Sequence, residues 1–292
     1  MRARGVAGRG SRGGSRWGKA RRLLAVLLPA LLPALLLAAQ PSDAGSRLVL
    51  PTPVLKPGEG LSLTLGDGEV RSYGEARKEA PMGGLAKLIW MRLEGADWSS
   101  RNVQFRCQGT AGSFTCGKRE GHGRVDLGRA LAEDCDLAFL VWIAEAQTRW
   151  LKDYGDAAGR LRMEEVFAPF LGRRLPPGDG LPAFSAAWVG GGDLLRTSPE
   201  AFLRWLMEPE QGEVVTFGKR YLAGFWVEVK DLFGKEGWWF KTGTAPVPGD
   251  PVATSAWVAG GRGSALVVLH LPRGQGKPEG LARIREILGL KP

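Results

Sequence analysis

Apolar and polar residues alternate from Leu61 to Leu65, and a second short stretch, Glu69 to Tyr73, follows the triplet Gly66-Asp67-Gly68. Alternation around a glycine-flanked turn predicts a β-hairpin. The period then changes. Leu85, Leu88, Ile89 and Leu93 fall three or four positions apart and predict a helix over Leu85 to Glu94. A second helix is predicted over Asp126 to Gln147, apolar enough to be buried at its centre. Arg173 to Gly192 is rich in proline and glycine and reads as loop, a lid or a site wall, before helical character returns over Pro199 to Met207 behind Thr197 and Ser198. Tyr221 to Lys230, Gly237 to Thr242, Ala253 to Ala259 and Ala265 to Leu271 read as successive antiparallel strands, and Gly280 to Leu288 as a closing helix. Hairpin, helices and a strand meander imply an α+β fold, a sheet with helical cover. Strict alternation in the strand from Gly237 would turn either Trp238 or Trp239 outward.

Charge changes the picture at one end of the chain only. The net charge is +10 over 292 residues, but residues 1 to 22 hold eight basic residues and no acidic one, so the remainder carries about +2. That distribution argues against a nucleic-acid surface and for export. Leu23 to Ala39 follows as an uninterrupted apolar run, as in a secretory signal, with cleavage expected after Ala39 or Ala44. An uncleaved anchor to the inner membrane through residues 23 to 39 is the alternative, although the run is short for a span and contains Pro29 and Pro33. Residues 1 to 44 are therefore assigned to a signal peptide or N-terminal membrane anchor, and residues 45 to 292 to one domain without visible internal repeats. The body is expected on an oxidising side of the membrane, periplasmic or in the cell envelope.

Three cysteines, Cys107, Cys116 and Cys135, leave an odd thiol. A bridge between Cys107 and Cys116 with Cys135 free is one reading and three buried thiols the other. The only histidines, His122 and His270, do not fall at finger-like spacing with the cysteines, so neither metal nor cofactor is expected.

Lys241-Thr242-Gly243-Thr244 stands at the end of a predicted strand, one hairpin before Ala256-Trp257-Val258-Ala259-Gly260. With three other segments in order, it resembles the third motif of the penicillin-binding protein transpeptidase and serine β-lactamase superfamily. Pro81-Met82-Gly83-Gly84, followed by Lys87, is similar to the family's Pro-x-Gly-Ser-x-x-Lys helix start, with Gly84 in place of serine. Cys107 to Cys116, Gly121-His122-Gly123 and Asp134-Cys135-Asp136 resemble the approach to the Ser-x-Asn motif of bifunctional penicillin-binding proteins, with aspartates replacing its serine and asparagine. Trp188-Val189-Gly190-Gly191-Gly192 and Thr197-Ser198-Pro199 resemble the glycine-rich turn and helix start before the final sheet. The resemblance spans roughly residues 61 to 271.

The resemblance implies an antiparallel sheet of about five strands covered by helices, with an all-helical lobe carrying the second motif. It also implies acyl transfer by a serine, with two backbone amides stabilising the oxyanion. Glycine cannot attack, and no serine has lysine three positions later. Thr115 and Lys118 have that spacing, but in a loop-like context. The family's catalytic positions are thus Gly84, Lys87, Asp134, Asp136 and Lys241, none with the nucleophile intact. The expected ligand-binding positions are Gly84, Lys241, Thr242, Gly243 and Thr244, with the amides of Gly84 and Thr244 as oxyanion donors. Asp134 and Asp136 are expected beside Lys87 and Lys241 as charge partners, too neutral a group to hold a metal. The function implied is a non-catalytic envelope domain binding a peptidoglycan stem peptide or an envelope protein. The alternatives are a hydrolase using Asp134 and water, and a purely structural partner module.

Overall fold

The computed structural model describes residues 52–171, 186–208 and 237–290. The basic leader, the apolar run, most of the Arg173 to Gly192 loop and the strand expected over Tyr221 to Lys230 lie outside the described residues. Among those described, no helix is long and apolar enough to cross a membrane.

Five strands form the main sheet: β1 (Gly60–Leu65) and β2 (Arg71–Gly74) near its start and three more from the C-terminal part of the chain. The alternation of Leu61, Leu63 and Leu65 forms β1 as expected, and β2 pairs with it antiparallel, Leu61 opposite Tyr73. β3 (Ala80–Pro81) and a 3₁₀ turn at Gly83–Leu85 lead into α1 (Ala86–Ser100). Short strands β4 (Gln104–Cys107), β5 (Thr110–Ala111), β6 (Phe114–Thr115) and β7 (Gly123–Asp126) make two small hairpin pairings, β4 with β7 and β5 with β6. Then come α2 (Leu127–Ala132) and α3 (Asp136–Phe167), the latter interrupted by non-helical backbone at Gly155. β8 (Arg196–Thr197) pairs with β3, and α4 (Pro199–Met207) starts behind a Ser198 hydroxyl that accepts the Ala201 amide at 3.2 Å. The chain closes with β9 (Trp239–Val247), β10 (Asp250–Arg262), β11 (Ala265–Leu271), a π turn at Gly276–Gly280 and α5 (Leu281–Ile287).

The sheet order is β2-β1-β11-β10-β9, antiparallel throughout, so the N-terminal hairpin joins the C-terminal meander through β1 and β11. Both faces of the sheet are covered. Trp239, Trp257, Ala259, Leu266 and Val268 face a core shared with α1, α3 and α4, whereas Trp238, Phe240, Val258, Val267 and Leu269 face one shared with α5. Strand alternation therefore holds, but neither Trp238 nor Trp239 reaches solvent, because each face has its own helical cover.

The single helix expected over Asp126 to Gln147 is broken at Asp134. The Glu133 amide bonds to Arg129 O at 2.8 Å and the Cys135 amide reaches back to Ala130 O at 2.9 Å, while Asp134 takes a left-handed φ of 60°. This is the Schellman ending of a helix, with aspartate where glycine or asparagine is usual. Apolar periodicity runs straight through the break, so it leaves no trace in the pattern of hydrophobic residues.

Candidate functional site

Three separate stretches converge on one cleft, and tryptophan indoles fix two of the joints. Trp257 Nε1 on β10 donates to Pro81 O at 2.7 Å, pinning the segment before Gly83 to the sheet. Trp90 Nε1 on α1 donates to Trp188 O at 3.1 Å, and these rings lie with Phe167 in one buried aromatic cluster with centroids 4.9 to 5.8 Å apart. Gly83 has φ of 56°, and a Cβ there would meet Thr244 O at 2.6 Å, so only glycine lets β9 approach the helix start so closely. Cleft-lining residues include Gly84, Asp134, Asp136, Gly190, Thr242 and Thr244, and the space enclosed is about 900 Å³.

Lys87, in the first turn of α1, is fully buried, and its ammonium donates to Asp134 Oδ1 at 2.5 Å and to Asp136 Oδ1 at 2.6 Å. Lys241 on β9 is also buried and donates to the same Asp134 oxygen at 2.7 Å and to Thr242 O at 2.5 Å. Two ammonium groups and two carboxylates thus form a closed, neutral cluster, with the aspartates about three-tenths exposed toward the cleft. Burial opposes the charge on Lys87, but Asp134 and Asp136 together hold its ammonium above its ordinary range. Burial lowers Lys241 to about 8, with Asp134 opposing the fall and Lys87 adding to it. Burial alone would raise Asp134, yet Lys241 and Lys87 keep it well below the usual carboxylate range. Asp136 is raised, by burial first, because Lys87 offsets only part of that penalty.

Gly84 carries the most telling geometry. A Cβ built there would lie 2.9 and 3.0 Å from the two carboxylate oxygens of Asp134 and 3.2 Å from Lys241 Nζ. The carboxylate at 134 therefore occupies the space a side chain at 84 would need, so glycine at 84 and aspartate at 134 fit one another. The expected family positions Gly84, Lys87, Asp134, Asp136 and Lys241 are all brought together here, with Thr242 and Thr244 on the same wall. Gly243 sits behind them: a Cβ on it would meet Gly84 N at 2.9 Å. Thr115 and Lys118 also line the cleft but start no helix, so their spacing does not place an amine one turn from a hydroxyl.

The cysteines depart from the expected pairing. Cys107, Cys116 and Cys135 are all free and buried, and the bridge from Cys107 to Cys116 is not formed. They gather instead around His122, which also borders the cleft. Sequence spacing pointed away from a metal, because finger-like intervals describe ligands on one local unit whereas these come from four separate segments. The signal that could have found them is the set of two cysteines and a histidine leading up to Asp134, with the third cysteine directly after it.

By sequence the chain matches no family model and no curated protein. By structure it is similar to penicillin-binding protein 2 of Pseudomonas aeruginosa, solved in complex with WCK 5153, with TM-score 0.54 and 12% identity over 74% of this chain and 62% of that one. It is also similar to a chain from a structure on the coordination of polymerization and crosslinking by a peptidoglycan synthase complex, with TM-score 0.57 and 14% identity over 80% of this chain and 56% of that one. The chain thus spans about three fifths of the length of these neighbours. With the five-stranded antiparallel sheet, its helical cover and the motif segments converging on one cleft, the chain has the penicillin-binding protein transpeptidase fold.

Proposed function

We propose that the chain is a cell-envelope penicillin-binding-protein-like domain that no longer acylates and that binds a peptidoglycan stem peptide in its cleft. The single observation that carries this reading is the carboxylate of Asp134 in the space of the missing side chain at 84, bonded to both lysines. Serine acylation needs a hydroxyl there and an amine free to take its proton. Here the hydroxyl is absent and both amines donate to carboxylates, with Lys87 held as ammonium between Asp134 and Asp136. A water-activating role for Asp134 is disfavoured by the same contacts, since a carboxylate oxygen accepting from two ammonium groups is a poor base.

Binding is supported by what survives. The cleft is open, and β9 is the last strand of the sheet among the described residues, an arrangement suited to pairing with an extended peptide. The backbone amides of Gly84 and Thr244 would donate to a carbonyl or carboxylate oxygen, because main-chain amides do not depend on a side chain at 84. The basic leader and apolar run support export, and a fold neighbour from a peptidoglycan synthase complex makes an envelope partner a compatible occupant.

The test is a fluorescent penicillin on a denaturing gel together with titration of a synthetic stem peptide by calorimetry. No covalent band and saturable peptide binding, weakened by Thr244→Pro at the β9 edge, are expected. Stoichiometric labelling of the unmodified protein would overturn the reading. Absence of both labelling and peptide binding would replace it with a structural partner module.

A further inference from the structure

The two walls of the cleft offer opposite hydrogen-bonding chemistry. On the β9 wall, Thr242 is only 6% exposed, lines the cleft, and has no hydrogen-bond partner for its hydroxyl among the described residues. Thr244 Oγ1 accepts the Gly276 amide at 3.0 Å, so its own proton is left to donate. With the backbone amides of Gly84 and Thr244, this wall presents donors. The facing wall, at the turn between α2 and α3, presents acceptors. Asp134 Oδ1 takes both lysines, at 2.5 and 2.7 Å, and Asp136 Oδ1 takes Lys87 at 2.6 Å. Neither Oδ2 has a hydrogen-bond partner among the described residues, although each carboxylate oxygen can accept two.

The lysines stand behind the aspartates. Their side chains are 0% and 2% exposed, whereas those of Asp134 and Asp136 are 29% and 31% exposed and line the cleft. An entering ligand therefore meets the carboxylates and not the ammonium groups. Other charges on this side leave that character in place, since Glu133 is held by Arg129 at 2.6 Å and Lys118 lies 4.0 Å from Glu120. Lys277 belongs to the π turn on the donor side. When a ligand displaces water from the two Oδ2 atoms, only a donor can replace it without cost. A carbonyl there would oppose lone pair to lone pair, and one amide N–H would serve one oxygen. An ammonium brings three donors and a charge, enough to reach both carboxylates.

We propose that Asp134 and Asp136 make the cleft selective for a stem peptide with a free side-chain amine, held as ammonium between their outer oxygens while a carbonyl or carboxylate of the same peptide lies on the β9 donors. The proposal rests on the reading of the cleft as a stem-peptide site and specifies which stems it takes. Acylating the amine, as crosslinking does, removes the charge and two of three N–H groups and turns a carbonyl toward the aspartates. The domain would thus distinguish uncrosslinked stems from crosslinked ones.

The test is calorimetric titration of the full chain with three synthetic stem peptides. All are acetylated at the N-terminus, so that only the side-chain amine differs: one carries lysine, one Nε-acetyl-lysine and one norleucine at the same position. The lysine peptide is expected to bind about ten- to a hundredfold more tightly than the other two, the worth of a hydrogen bond to a charged group. Asp136→Asn keeps the side chain's size and leaves Lys87 bonded to Asp134. It should cut the preference to a few-fold, with the acetylated peptide bound no more weakly than by the wild type. If the variant does not fold, the ratio among the three peptides on the wild type decides the question. Equal binding of all three would overturn amine selection and leave the stem-peptide reading standing, whereas binding of none would remove both. A preference unchanged in Asp136→Asn would overturn the role given to the aspartate wall.

Discussion

A methyl group added at Gly84 is the sharpest probe of how the cleft is packed. Gly84→Ala would place a Cβ 2.9 and 3.0 Å from the Asp134 oxygens and 3.2 Å from Lys241 Nζ, well inside ordinary contact distance. Asp134 cannot withdraw easily, because its backbone is set by the Schellman turn and its Oδ1 is held by two ammonium groups. Overpacking of this kind costs about 1–3 kcal/mol. Gly84→Ser carries the same Cβ but adds a hydroxyl that can donate to the carboxylate, which offsets about 1 kcal/mol. Asp134→Ser removes the obstruction but leaves the buried Lys241 without its carboxylate, at about 3–5 kcal/mol. Urea unfolding of the two single variants and the double variant Gly84→Ser/Asp134→Ser should therefore show a favourable coupling of about 1–3 kcal/mol, since each change relieves the other. The same proteins, run with fluorescent penicillin, should label weakly as Gly84→Ser and more strongly when Asp134→Ser and Asp136→Asn are added. Gly84→Ala within about 0.5 kcal/mol of the wild type, with no coupling in the cycle, would refute the idea that Asp134 fills the vacated space.

Burial, with Lys78 adding and Glu75 opposing, lowers His270 to about 4, and the ring packs tilted against Trp257 with centroids 4.5 Å apart. The native state then keeps it neutral while the unfolded chain takes up a proton below about 6.5, so this contribution is complete above that pH and is lost as pH falls toward 4. About 2 kcal/mol should disappear between pH 8 and pH 5, and the difference should vanish in His270→Phe when urea midpoints are compared at both pH values. Arg283 and Glu59 form a nearly buried pair linking α5 to the segment before β1, with contacts of 2.7 to 3.1 Å. Arg283→Met should cost about 3–5 kcal/mol in chemical denaturation, and pairing it with Glu59→Gln should recover part of the loss. Trp257→Phe removes the indole bond to Pro81 O. It should cost about 1–2 kcal/mol and increase hydrogen exchange at Gly83 and Gly84, whereas unchanged exchange there would show that β10 does not hold the helix start.

Local residue order determined the strands and helices that need only their own period. The alternation of Leu61, Leu63 and Leu65 became β1, the spacing of Leu88 and Ile89 became α1, and Ala265 to Leu271 became β11. Residue types at Gly84, Lys87, Asp134, Asp136 and Lys241 also marked residues that the structure brings together, with glycine, which has no side chain to attack, at position 84. Tertiary structure alone decided three other matters. It broke the predicted helix at Asp134, since a Schellman ending is backbone hydrogen bonding that apolar periodicity does not record. It buried both Trp238 and Trp239, since whether a strand's second face meets solvent depends on α5, which comes more than thirty residues later. It placed the Asp134 carboxylate in the space beside Gly84 and drew Cys107, Cys116 and Cys135 around His122. Sequence states which groups are available, but distances of 2.5 to 4.8 Å between residues far apart in the chain arise only when the sheet, α1 and the turn before α3 pack together.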